Sequence, residues 1–161
     1  MAIRIIVKDP DPVLRERAIE VTKFNSNLHK LLDDMALTMY DAEGVGLAAP
    51  QVGISKRVIV VDVGDEKGLI EMVNPEIVER SGEQLGPEGC LSIPNLNGEV
   101  KRSQRIKLKG QDRNGNPFEL VADDYLARAF QHEVDHLNGV LFTDIAESIY
   151  DISQRTRGRG E

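Results

Sequence analysis

Asp123 to Gly139 reads DDYLARAFQHEVDHLNG, and the reading of this stretch decides the fold. Leu126, Ala129, Phe130, Val134 and Leu137 fall at three- and four-residue steps on one broad face, which predicts an amphipathic helix. Asp123 stands where an N-cap belongs and Gly139 where a helix stops. Inside the helix His132, Glu133 and His136 form an HExxH pattern. Residues four apart lie one turn apart on one face, so both imidazoles can reach a single metal ion, while Glu133 is displaced along the helix toward a water at that ion. The pattern fixes only three residues and also arises on surface helices, so a third ligand has to be found.

The single cysteine, Cys90, supplies the candidate. It lies in GPEGCLSIP, where Gly86, Pro87 and Gly89 favour tight turning that can present a thiolate. One Cys and two His make three ligands. A structural zinc site normally has four protein ligands, whereas a catalytic ion keeps one position open. Upstream, GVGLAAPQVG (44–53) places Gly44, Gly46, Ala48 and Ala49 where a backbone can approach closely, and Gln51 where an amide N–H can serve a developing oxyanion. This stretch lacks the Gly-Lys-Ser/Thr of a phosphate loop and follows a predicted helix, which disfavours phosphate binding.

Further out, Leu28, Leu31, Leu32, Met35, Met39 and Tyr40 predict a second, N-terminal amphipathic helix, capped by Asn25 or Ser26 and stopped at Gly44. Short β-branched or alternating runs predict strands over Ile3–Val7, Val58–Val63, Leu69–Val73, Ile77–Glu79, Arg105–Lys109 and Phe118–Val121. Asn114 to Pro117 reads as a hairpin turn between the last two. Strands in a block followed by a helix indicate an α+β fold with mainly antiparallel sheets, packed around the central HExxH-bearing helix. The 161 residues suit one catalytic domain over 1–154, and the charged, Gly-rich end, 155–161, reads as a flexible tail.

With 40% apolar and 29% charged residues the composition is that of a globular protein. A net charge of -7, from 27 acidic and 20 basic residues, repels phosphate backbones and anionic lipid, so no dedicated nucleic-acid binding is expected. The basic run Lys101 to Lys109 alternates with Ile106 and Leu108 and reads as a strand with a solvated face. A lone cysteine cannot form an intramolecular disulfide, the N-terminal stretch lacks a signal-like apolar run, and no segment reaches about 18 apolar residues. The expectation is a cytoplasmic protein outside membranes.

GVGLAAPQ, EGCLS and QHEVDHL, in this order, closely resemble the three motifs of the peptide deformylase family. IPNLNGEVKR and GVLFTDI, between and after them, extend the likeness. The resemblance implies that Cys90, His132 and His136 hold one divalent ion, that Glu133 moves the proton, and that Gln51 and the backbone N–H of Leu91 form the oxyanion hole. It implies ferrous iron, and the donor set also accepts zinc, nickel or cobalt. The implied substrates are N-formylmethionyl peptides, paired as an added strand with backbone around Gly44, Gly46 and Gly89. Val45, Ile93, Leu126 and Ala129 are candidate walls for the methionine side chain. Tyr125 and Arg128 lie just before the motif, Arg128 on the ligand-bearing side. The Arg155, Arg157 and Arg159 tail offers a transient contact to the ribosome. Two alternatives stay open: a zincin-type metallopeptidase, whose third ligand is often Glu or His although only His29 remains here, and a binding module with a closed metal site.

Overall fold

In the computed structural model, which describes residues 2–152, the strand Val58–Val61 (β2) explains the layering. All four of its residues are fully buried, so it must be covered on both faces. Val58 and Val60 pack against Leu28, Leu31, Leu32, Met35 and Met39 of the helix Ser26–Asp41 (α1). Ile59 and Val61 turn the other way, toward Phe130, Val134 and Leu137 of the helix Asp124–Leu137 (α2).

β2 belongs to a five-stranded antiparallel sheet. Gly46–Ala48 (β1) forms its edge, followed by β2, Ile70–Ser81 (β3), Arg105–Gln111 (β6) and Pro117–Asp123 (β7). A second antiparallel sheet contains Gln84–Cys90 (β4), Ile93–Arg102 (β5) and Ser148–Asp151 (β8), in that order. A short helix, Phe142–Ile145 (α3), precedes β8, and Phe142 and Leu141 pack with Leu14, Ile93 and Val100 under that sheet. The result is a mixed α+β fold with antiparallel sheets. No helix among the described residues is long and apolar enough to cross a membrane.

α2 was expected to be amphipathic, but nearly all of it is buried. Its apolar side faces the five-stranded sheet, and its other side carries Arg128, Gln131, His132 and Glu133, also buried. Gly139, at φ 75°, ends the helix as expected, and Asp123 occupies the N-cap position without a capping bond from its side chain. At the end of α1 the left-handed residue is Glu43, at φ 58°, and not Gly44. Tyr40 is exposed and donates from its hydroxyl to Asp62.

Ile3–Val7 forms no strand. Its Arg4 N–H donates instead to Thr38 Oγ1 of α1 and its Val7 N–H to the Gln51 carbonyl, and Ile3 and Ile5 are exposed. The two runs expected near Leu69–Val73 and Ile77–Glu79 are one strand, β3. Asn74, at φ 51°, bends it at a register shift while its side chain pairs with both backbone groups of Val21. β4 and β5 were missed because their Gly, Pro and Asn content imitates a loop. Close packing requires those residues: a Cβ at Gly98 would come within 2.8 Å of the Ser148 carbonyl oxygen. The β6–β7 hairpin turns through Gly115 at φ 87° as expected, with the Asp112 carboxylate accepting from Asn114 and Asn116. The tail expected over 155–161 lies outside the described residues.

Phe130 is fully buried between α2 and the sheet. Phe130→Ala should therefore destabilise the protein by about 3–5 kcal/mol in urea unfolding, and a loss below about 1 kcal/mol would contradict this packing.

Candidate metal centre

Cys90 reaches the site because the β4–β5 hairpin is irregular where it turns. Gly89 lies opposite Asn97, yet Cys90 lies opposite Ile93, so the register shifts between neighbouring residues. A Cβ at Gly89 would sit 2.7 Å from the Asn97 side-chain oxygen, so a larger residue there requires that side chain to move. His132 and His136 come from successive turns of α2, with ring centroids 4.8 Å apart and planes at 71°.

The ligand-type atoms of Cys90, His132 and His136 all lie within 4.8 Å of one another. His136 Nε2 is 3.2 Å from His132 Nε2 and 3.4 Å from the Cys90 sulfur. His132 Nδ1 lies 2.9 Å from Glu88 Oε1, so the carboxylate accepts a hydrogen bond from Nδ1–H and Nε2 is left to face the cluster. Burial alone would lower both imidazoles. At His132 the Cys90 and Glu88 partners outweigh it and raise the pKa well above the usual value, whereas His136 falls well below it. One thiol and two imidazoles converging in this way fit a single N/S-ligated divalent ion.

Glu133 is buried beside the cluster, and burial raises its carboxyl to about 7. Its Oε1 has no hydrogen-bond partner, and a Cβ at Gly46 would lie 2.5 Å from Oε2. Gly46, the second glycine of GVGLAAPQ, therefore leaves the space in which the carboxylate lies. Gln51, in the 3₁₀ turn Ala49–Val52, is also buried and held at both ends of its amide. Its Oε1 accepts from the Ala48 N–H at 3.0 Å, and its Nε2 donates to Ser92 Oγ at 3.1 Å and lies 3.6 Å from the Cys90 sulfur.

Three supporting residues were not recognised as such in the sequence. Glu88 accepts from Arg102 through both oxygens, at 2.8 and 2.9 Å, and from Arg128 Nη1 at 2.6 Å, while Arg102 also reaches Asp135 at 2.6 Å. Burial would raise the Glu88 pKa, but Arg102 and His132 outweigh it and hold the carboxyl near 2. Strand period could have found Glu88, which lies two residues before Cys90 on the same face. Arg102 was read as part of a solvated basic run and is in fact buried. Arg128 does face the site side of α2, with its head fixed on Glu88 and on the Val100 carbonyl.

A cleft of about 340 Å³ opens over these groups. Gly44, Val45 and Gly46 line it together with Gly89, Cys90, Leu91, Ile93, Ala129, His132, Glu133 and Gln51. Leu126, expected as a wall, packs instead into the core between α2 and the five-stranded sheet. Tyr125 and Arg128 take part in the lining, as do Glu43, Asn95, Asn97 and Ile152, for which the sequence offered no signal beyond proximity to the motifs. His29 is remote from this set and bonds the Arg113 carbonyl.

This donor set beside a buried carboxyl near neutrality is what a mononuclear metallohydrolase requires. Residues 3–151 match the family model described as polypeptide deformylase. The chain is 60% identical over 144 residues to a peptide deformylase of Caldanaerobacter subterraneus subsp. tengcongensis, covering 89% of each chain. It is 54% identical over 150 residues to peptide deformylase 1 of Bacillus subtilis, covering 93% of this chain and 94% of that one. The crystal structure of the Thermotoga maritima peptide deformylase superposes with a TM-score of 0.89 at 49% identity, covering 92% of this chain and all of that one. The chain belongs to the peptide deformylase family.

The Glu88 carboxyl has a usual value of 4.5 and is held near 2 in the folded protein, so its contribution to stability is complete above 4.5 and is lost as pH falls toward 2. The stability gap between the parent and Glu88→Gln should narrow over that interval in denaturant titrations. A gap that stays constant would contradict the assignment.

Proposed function

We infer that this chain is a metal-dependent hydrolase that removes the formyl group from N-formylmethionyl peptides, releasing formate and a free N-terminus. The observation that carries the reading is the convergence of Cys90, His132 and His136 beside Glu133, under a cleft flanked by two sheet edges. β1 ends the five-stranded sheet and β4 ends the three-stranded one, and residues of both line the cleft. An extended peptide between them would pair with backbone around Gly44, Gly46 and Gly89, which gives affinity without demanding a sequence. Val45, Ile93 and Ala129, with the stem of Arg128, would then enclose the methionine side chain.

Cys90, His132 and His136 would hold one divalent ion, ferrous iron by family resemblance, and such an ion acidifies water and polarises a carbonyl oxygen. Glu133 takes the proton of the attacking water, favoured by a pKa near neutrality, and delivers it to the departing amine nitrogen. The Gln51 Nε2 and the Leu91 N–H donate to the formyl oxygen as it gains negative charge. Because the Gln51 amide is already anchored by Ala48 and Ser92, little reorganisation is needed. An acetyl group would place an extra methyl among these groups, where overpacking costs about 1–3 kcal/mol.

We read residues 1–154 as one catalytic unit with both sheets arranged about α2, working in the cytoplasm where new peptides carry the formyl group. Arg155, Arg157 and Arg159 offer a transient, charge-based contact to ribosomal RNA. Against a zincin-type peptidase stands the third donor of the cluster, which is a cysteine, while His29 lies elsewhere.

A formate-release assay on formylmethionyl peptides, paired with metal analysis, tests this reading. Gln51→Ala should lose about 10²- to 10³-fold in kcat with metal content unchanged. Glu133→Gln should keep the ion and lose turnover, whereas Cys90→Ala should lose the ion itself. Tight metal binding by the Cys90 variant, or normal turnover by either of the others, would overturn the corresponding role.

A further inference from the structure

Residues 2–9 form neither a strand nor a loose end. At one extremity the Ala2 N–H donates to Asp34 Oδ1 at 2.7 Å and the Arg4 N–H to Thr38 Oγ1 at 2.8 Å, fastening it along α1. At the other extremity the Val7 N–H donates to the backbone carbonyl of Gln51 at 2.7 Å, and the Asp9 N–H to that of Ser92 at 2.8 Å. These two acceptors belong to different parts of the fold. Gln51 sits in the turn that follows β1 of the five-stranded sheet, and Ser92 in the β4–β5 turn of the three-stranded sheet, directly after Leu91.

The two bonds thus cross from one oxyanion donor to the turn that carries the other. The Val7 side chain supports the same bridge, packing against the apolar cluster that holds Ile93 and touches Cys90. Between them the Gln51 amide reaches Ser92 Oγ, so the strap lies in parallel with a direct link between the same two turns. Two donors that must meet one oxygen atom are sensitive to their separation, and a misplacement of about 1 Å can cost on the order of 10²-fold in rate.

We propose that residues 2–9 form a positioning strap in which Val7 and Asp9 fix the spacing between the Gln51 amide and the Leu91 N–H. The inference rests on the deformylase reading and adds to it residues that touch neither substrate nor metal. Proline at either position removes the N–H that makes the bond.

The test uses the full-length, metal-loaded enzyme. Val7→Pro and Asp9→Pro are each measured for kcat, KM and bound metal, and Val7→Pro is repeated in the Gln51→Ala background. The expected result is a fall in kcat of about 10- to 100-fold in each single variant, with KM within about 3-fold of the parent and one ion per chain. In the Gln51→Ala background, Val7→Pro should cost less than about 3-fold, because the group it positions is gone. Loss of folded or active molecules would instead lower rates by the same factor in both backgrounds, and that outcome overturns the proposal. So does parental kcat in both single variants. If Val7→Pro does not fold, the kcat-against-KM split of Asp9→Pro decides. Absence of formate release by the parent would indict the deformylase reading and not the strap.

Discussion

Burial of charge in α2 is the constraint from which the rest of the structure follows. His132, Glu133, His136 and Arg128 all lie inside the protein, and polar groups taken out of water must be paired or they destabilise the fold. Glu88 answers for two of that set, Arg128 and His132, while its oxygens also accept from Arg102, which passes the connection on to Asp135. Removing one member of such a cluster leaves its partners uncompensated, so it behaves as a unit. Its geometry also aims His132 Nε2 at the thiol and at His136. Among the described residues the buried side-chain atoms left without partners are Ser55 Oγ, Arg128 Nη2, Glu133 Oε1 and His136 Nδ1, and the last two are at the site itself.

The two sheets serve this arrangement in different ways. The five-stranded sheet receives the apolar side of α2 and is covered by α1 on its other face, so it sets the position of the helix through close packing of Ile59, Val61, Phe130 and Val134. The three-stranded sheet brings the polar partners, with Glu88 and Cys90 on one strand face and Arg102 on the neighbouring strand. Glycines stand at close approaches around the site. Gly46 makes room for Glu133 and Gly89 for Asn97. The cleft forms along the line where neither sheet supplies a further strand.

Much of the site was legible because its chemistry is local in sequence. HExxH lies on one helix, Cys90 is the sole cysteine, and GVGLAAPQ contains the short strand that carries Gly46 against Glu133. Long-range pairings were not legible. Nothing around Arg102 distinguishes it from the exposed Arg105 three residues later until β4 is laid beside β5. Leu126 has the periodicity of a cleft wall and of a core residue alike, and only the direction in which α2 is rotated sends it to the core. Ile3–Val7 has strand composition but forms no strand, and the N–H groups of Arg4 and Val7 bond to Thr38 and to the Gln51 carbonyl.

The Cys90 sulfur and the Nε2 atoms of His132 and His136 are placed to share one ion. X-ray absorption at the metal edge of the loaded protein reads that coordination directly. One sulfur and two imidazole nitrogens are expected among the nearest neighbours, with the sulfur at about 2.3 Å if the ion is zinc. A nearest-neighbour shell without sulfur, or one completed by a fourth protein side chain, would contradict it.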